Sequence, residues 1–347
     1  MTDSTIVKFL YYSFKGVGLV PMTYIPKKCF CTSTQSLVYN IIFMSYVFAM
    51  NCYAVKLTLR DNSAVKFDRI IDGIHSTIGA LTSLILIGMY CVHRQKCVEI
   101  ANKLKALYEL STFHQKYLST TAIKQTCLLV LFSWISLLLT VPINSYQAIL
   151  YFIATYFCIV TVSSVMLQYS FFLSFLSQLF VIVNNNFANL KATPKIQFVS
   201  LKDQLVIRRF VHQRNLHMSL SAICKELDRF YSLPALLCIF YVFSTLILCA
   251  YYVVKSFFFN KTGLSTTFLF NCFAQLIHGS TVLFILTRSA SILVEEMNQF
   301  SSYLLHENIQ FSAAGLFSID GNLMMSIIGS ITTYMVILLQ FQDRNST

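Results

Sequence analysis

Between Asp320 and Asp343 the chain carries no charged side chain over 22 residues. At 1.5 Å per residue that run makes a helix about 33 Å long, enough to cross the hydrocarbon core of a bilayer. Such a stretch folds as a helix there, because a bilayer offers the backbone no outside hydrogen-bond partner. Thr333, Tyr334 and Gln340 lie inside this apolar run. A segment that only anchored the chain would have no need of an amide near its end. Polar groups at that depth are usually satisfied by a partner helix or by water.

Composition supports a membrane chain throughout. Hydrophobic residues make up 56% and charged residues 12%, against about 25% charge in a soluble domain. A large soluble globular protein is excluded on that ground. The net charge of +12 would suggest nucleic acid in a soluble chain. Here it reads as basic loops retained on the cytoplasmic side, and no nucleic-acid partner is expected. The eleven cysteines mostly punctuate apolar runs, where they behave as small hydrophobes. Cys29 and Cys31 form the only close pair and lack the second Cys or His pair of a zinc site. No metal, cofactor or catalytic residue is therefore expected. The first long apolar run begins near Leu37, so no cleavable signal peptide is expected either.

Charge-free windows divide the chain into seven spans. The first runs about Leu37 to Leu59 and the second about Ile70 to Val92. The stretch from Lys124 to Lys191 has no Asp, Glu, Lys or Arg between its ends and is too long for one crossing. Pro142, Asn144 and Ser145 break it into a third span, about Thr126 to Val141, and a fourth, about Gln147 to Val183. The fifth runs about Leu233 to Val254, the sixth about Leu264 to Thr287 and the seventh about Ile319 to Phe341. The expected fold is all-α, a seven-transmembrane bundle. Its parts are 1–36, spans one to four in 37–183, a long segment 184–232, spans five and six in 233–287, a segment 288–318, span seven in 319–341 and a tail 342–347.

Nineteen of the 26 Lys and Arg fall in 1–36, 93–125, 184–232 and 288–318, and six fall in the alternate segments. The bias places the N-terminus in the cytoplasm and the C-terminus outside. Two glycosylation sequons, at Asn260 and Asn345, both fall on the expected outer side.

The segment 184–232 carries its own pattern. Val206, Phe210, Gln213, Leu216, Leu220, Ile223, Leu227 and Tyr231 recur at steps of three and four, a helical stripe leading into the fifth span. Two arrangements fit it: a helix lying on the inner leaflet, or a helix extended below the membrane to pack against neighbours.

The run Thr333-Tyr334-Met335-Val336-Ile337-Leu338-Leu339-Gln340-Phe341 closely resembles the signature of the insect gustatory receptors, relatives of the insect odorant receptors. The signature is Thr-Tyr, five apolar residues, Gln-Phe, at the end of a seventh span in a chain of inverted topology. Gly315 to Asp320 also reads like that family, and span count and loop layout extend the likeness over the whole chain. The resemblance implies a tetrameric, ligand-gated, non-selective cation channel rather than a G-protein-coupled receptor. It implies homo- or hetero-tetramers with other gustatory receptor subunits, in the plasma membrane of gustatory neurons. The last helix of each subunit would line one pore. Segments 184–232 and about Ser291 to His306 would form a cytoplasmic anchor, and each subunit would hold a small-molecule tastant in the outer half of its bundle. Sugar-receptor members often carry an acidic residue after the signature Thr-Tyr. This chain has Met335, which tips the ligand toward a bitter or deterrent compound.

Physics fits these roles to particular residues. Ser330, Thr333, Ile337, Gln340 and Phe341 share one side of the last helix. Facing a pore, Ile337 and Phe341 would form a constriction that blocks ions by dewetting, with Gln340 and Thr333 offering neutral dipoles. Asp320, at its cytoplasmic start, would concentrate cations. Tyr334 is expected to pack on a neighbouring helix. For the ligand, an apolar wall with a few inward polar groups is wanted. Asp72 and His75 on span two, Trp134 on span three, Tyr156 on span four, Thr245 and Tyr251 on span five, and Asn271 and Gln275 on span six are the candidates. Aromatics also gather at membrane interfaces, and intramembrane polar groups often only bond one another. His278 reads as a packing histidine.

Three other functions compete. Asp228-Arg229-Phe230-Tyr231 superficially resembles a G-protein-coupled receptor motif, but it precedes the fifth span and the orientation is inverted. A transporter or intramembrane enzyme would need ionisable groups in mid-span, which are nearly missing from this sequence. An accessory subunit that assists other receptors without binding ligand stays open.

Overall fold

The computed structural model describes residues 11–24, 30–60, 66–112, 146–191, 201–258, 266–304 and 310–346, with the isolated positions 128 and 135. Seven helices account for most of them: α1 (Thr34–Arg60), α2 (Lys66–Val92), α3 (Arg94–Thr112), α4 (Tyr146–Lys191), α5 (Leu201–Phe258), α6 (Thr266–Leu304) and α7 (Gly321–Ser346). Residues 11–16 are helical as well, and two small antiparallel hairpins lie among the described residues. β1 (Met22–Tyr24) pairs with β2 (Phe30–Thr32), Thr23 opposite Cys31, and β3 (Ser312–Ala313) pairs with β4 (Phe317–Ser318), Ala313 opposite Phe317.

Six of these helices, all but α3, are long and apolar enough to cross a membrane. The expected third span, Thr126 to Val141, lies outside the described residues apart from Leu128 and Ile135. The chain is thus an all-α multi-span membrane protein.

Helix length decides the architecture. α4, α5 and α6 have 46, 58 and 39 residues, or about 69, 87 and 58 Å at the helical rise. A bilayer core is about 30 Å thick, so each rod projects well beyond it. α5 joins the amphipathic stripe of 206–231 to the fifth span without a break, passing through Pro234. The stripe therefore builds a helix running out of the membrane and packed on its neighbours, with Leu220, Ile223, Leu227 and Tyr231 buried. α6 likewise continues from the sixth span through Ser291, so the expected separate helix of 291–306 is the far end of the same rod as far as Leu304.

α4 is the centre of the bundle. It packs along α6, α5 and α1, while α7 lies outside them against α5 and α6. The composition of α4 explains its position. Residues 161–170 are buried all round, and the charge-free run that made it hard to divide is what a helix enclosed on every side requires. Its small polar residues bond within the fold: Tyr90 donates to Gln168 at 2.7 Å, and Ser170 donates to the Met166 carbonyl.

On the side to which charge bias assigns the cytoplasm, the N-terminal segment folds into the core. Phe14, Val17, Leu19 and Val20 are buried, and Asn40 donates to the Gly18 carbonyl at 2.9 Å. Asn102 of α3 clamps β2, accepting from the Phe30 N–H at 2.9 Å and donating to its carbonyl at 3.0 Å.

Candidate functional site

The polar residues of α2, α4, α5 and α6 are drawn together inside the bundle. Nearest the outer end, Lys255 forms an ion pair with Asp68 at 2.7 Å. Tyr251 donates to the same Asp68 at 3.3 Å, and Tyr252 donates to Asp72 at 2.8 Å. Asp68 and Asp72 are one turn apart and so face α5 together. Asp68 thus takes both the ammonium and the Tyr251 hydroxyl, and Asp72 takes the Tyr252 hydroxyl.

One layer further in, Tyr156 donates to Asn271, whose Oδ1 also accepts from Gln275 at 3.1 Å. His75 stacks on Tyr241 at 5.2 Å, with its ring nitrogens 3.4 Å from Thr245 and 3.5 Å from Ser244. Ser163 of α4 and His278 of α6 share a hydrogen bond of 2.7 Å.

Between these layers lies a cavity bounded by α4, α5 and α6. Ile159, Val162, Ser163, Tyr241, Val242, Thr245, Gln275, His278 and Gly279 line it. Its volume is about 20 Å³. One or two waters fill such a space. A ligand of ordinary size needs its walls to part.

Two glycines shape this wall. A β-carbon at Gly79 would lie 2.8 Å from Cε2 of Tyr241, and one at Gly279 would lie 3.2 Å from Cδ2 of Leu246. Both helices approach α5 closely because those side chains are missing.

The candidates read from the sequence divide accordingly. Thr245 and Gln275 line the cavity. His75, Tyr156 and Asn271 bond to groups beside it. Asp72 and Tyr251 belong to the outer ionic layer. Trp134 lies outside the described residues. His278 bonds to Ser163 as a packing histidine would, and it also faces the cavity. The sequence reading missed Ser163, Tyr241, Gly279 and the Asp68–Lys255 pair. Asp68, at the helical step before Asp72, was the signal within reach.

α7 carries the second candidate region. Leu323, Met324, Ile327 and Ile331 pack on the main core, and Leu338 packs on the cluster of Cys249, Tyr251, Tyr252 and Cys272. Tyr334 meets Phe243 edge on at 6.1 Å. These positions form one side of the helix. Opposite it runs an exposed row of Asn322, Ser326, Gly329, Thr333, Ile337 and Gln340 at steps of three and four. The exposed Met325, Ile328, Thr332 and Val336 lie between the two sides. Asn322, Ser326, Thr333 and Gln340 thus share one uncovered side. Phe341 lies in α7 as well.

Long, apolar helices around a mostly apolar cavity, with a last helix left mostly uncovered, describe a multi-span membrane protein. The chain belongs to the 7tm chemosensory receptor family, whose model matches residues 7–345. It is similar to three Drosophila melanogaster proteins over short stretches. It is 49% identical to gustatory receptor 28b over 59 residues, 17% of this chain and 12% of that one. It is 30% identical to gustatory and pheromone receptor 32a over 105 residues, 24% of this chain and 23% of that one. It is 39% identical to the gustatory receptor for bitter taste 66a over 51 residues, 15% of this chain and 10% of that one. The matched stretches span less than a quarter of these relatives. Over its full length the fold is similar to the insect olfactory receptor OR5 from Machilis hrabei, with a TM-score of 0.72 at 14% identity, covering 98% of this chain and 99% of the other. The same receptor in complex with eugenol matches with a TM-score of 0.63 over 98% of both chains at 14% identity.

Proposed function

We propose that this chain is a gustatory receptor subunit, a ligand-gated non-selective cation channel opened by a small tastant, with a bitter or deterrent compound as its class. Four subunits, identical or mixed, surround one pore in the plasma membrane of gustatory neurons. The observation that carries this reading is the uncovered polar row of α7 from Asn322 to Gln340. The Ser326 and Thr333 hydroxyls donate back to their own helix, but amide side chains such as Gln340 facing lipid are costly, so such a row calls for water or another chain beside it. A central aqueous pore between copies supplies both. Ile337 and Phe341 then form the constriction, Gln340 and Thr333 the polar lining, and no acidic ring imposes selectivity.

The cavity between α4, α5 and α6 supplies the ligand site. A tastant opens the channel by binding the open arrangement better than the closed one. The walls must part to admit it, which gives the ligand a mechanical handle on α5 and α6. Ligand binding is supported by the eugenol complex of the structurally similar receptor, and the deterrent class by similarity to the bitter-taste receptor. The small volume of the cavity favours a second reading, an accessory subunit that conducts only beside a ligand-binding partner.

Whole-cell recording from cells expressing the chain alone, perfused with alkaloids, glycosides and sugars, tests this. A current that survives block of G-protein signalling and is altered by Gln340→Ala supports the channel. Responses to sugars alone would overturn the deterrent class. Silence with surface expression shown, and current only on co-expression with a second gustatory receptor, would favour the accessory reading.

A further inference from the structure

The β3–β4 turn is fastened by its backbone to α5. Asp228 accepts a hydrogen bond from the Ser312 N–H at 3.2 Å. Ser232, one helical turn on, accepts from the Ala314 N–H at 2.9 Å and donates to the Ser312 carbonyl at 3.4 Å. The turn is itself closed by Leu316 N–H to the Ala313 carbonyl at 3.0 Å and Ile319 N–H to the Phe311 carbonyl at 2.8 Å. Phe311, Ala313 and Ile319 are buried beneath it. The next residue, Asp320, caps α7 by accepting from the N–H groups of Asn322 and Leu323 at 2.9 and 3.2 Å. Hydrogen bonds therefore run from α5 to the first turn of α7 with little slack.

The same helix carries the wall of the cavity. Tyr241, Val242 and Thr245 lie 9 to 13 residues beyond Ser232, about 14 to 20 Å along α5. Pro234 stands between them and removes the hydrogen bond that Phe230 would accept, a natural place for the rod to bend. The surrounding helices grip α5 at this level. Tyr231 stacks on Tyr169 at 4.5 Å, and Phe230 meets Tyr90 edge on at 5.5 Å. The motif Asp228-Arg229-Phe230-Tyr231, which resembled a receptor motif only superficially, is the node where α2, α4, α5 and the β3–β4 turn meet.

We propose that Asp228 and Ser232 are positioning residues that clasp the base of α7 to α5, so that displacement of the cavity wall on α5 is delivered to α7 through the β3–β4 turn. This rests on the reading that the bundle cavity governs α7, and it deepens that reading by naming the link.

The test is a double-mutant cycle read by amide hydrogen exchange on the full-length protein in lipid nanodiscs, so neither a tastant nor conduction is required. Thr245→Leu displaces the cavity wall. It is expected to change exchange of the Asn322–Ser326 amides by about fivefold or more, the size of an ordinary allosteric coupling. In the Asp228→Ala or Ser232→Ala background that response should fall below about twofold. Asp228→Asn keeps an acceptor for the Ser312 N–H and should preserve it. Should Asp228→Ala fail to fold, the milder Ser232→Ala decides. An equal response with and without the clasp, or none in either, overturns the proposal. Silence of the wild-type chain both alone and beside a second gustatory receptor would overturn the channel reading instead, since the exchange cycle does not depend on current.

Discussion

Lys255 and Asp68 are paired at 2.7 Å, with the lysine side chain 3% and the aspartate 14% exposed. Removing one member of a buried pair strands the other charge. Lys255→Ala should cost about 3–5 kcal/mol, whereas Lys255→Met with Asp68→Leu should cost far less. Thermal unfolding in detergent micelles reads the difference. Equal losses for the single and double variants would mean that the pair is not the source of the effect.

Tyr241 occupies space that only glycine at position 79 leaves open, since an added β-carbon there would stand 2.8 Å from its ring. Gly79→Ala should push Tyr241 off His75 and into the cavity it lines. Agonist potency is expected to fall about tenfold or more, with surface expression retained. Restoring potency by combining Gly79→Ala with Tyr241→Leu, which removes the ring carbon 2.8 Å from the new carbon, would locate the clash. Unchanged potency in Gly79→Ala would mean the ring gives way harmlessly.

At the outer end of α7, the proposed apolar constriction predicts that Ile337→Ala and Phe341→Ala each raise resting leak, because dewetting weakens as the bore widens. Gln340→Ala should alter unitary conductance more than leak. Resting currents like wild type in both well-expressed alanine variants would take the gate away from these positions.

The β3–β4 turn places Ala314 at φ 51° and Gly315 at φ 71°. An L side chain in that region costs roughly 1–2 kcal/mol. Gly315→Val should therefore destabilise the turn by at least that much, and Ala314→Gly should relieve it. Limited proteolysis at 312–318 is the measure. Equal cleavage of the two variants would contradict the strain argument.

Periodicity and charge made the broad plan legible. Apart from Thr126 to Val141, outside the described residues, the charge-free windows fall on helices, and the stripe is a buried face from Leu220 to Tyr231. What they could not show was continuity. Nothing in the sequence near Thr287 indicates that α6 runs on to Leu304, because a helix leaving the membrane simply exchanges one set of surface residues for another. The strands were invisible for a different reason: two or three residues are too few for alternation to register. The polar row of α7 was legible at Thr333, Ile337 and Gln340. Its inner half, Asn322, Ser326 and Gly329, was passed over because small residues suit any helix. The cavity was the least legible. Ser163, Tyr241 and Gly279 each look ordinary alone and become a site only when α4, α5 and α6 are laid side by side. Asp68 and Lys255 lie 187 positions apart, and no local pattern joins them.

The unbroken run of α5 from Ser232 to Thr245 fixes a phase as well as a distance. One residue inserted between them would turn everything beyond it by about 100° and advance it by 1.5 Å. Tyr241 and Thr245 would then face a different neighbour while Asp228 still held the β3–β4 turn. Over this stretch a change of side chain leaves the phase intact and a change of length does not, so insertions and deletions among related chains should collect in the connections between the rods and spare the rod itself.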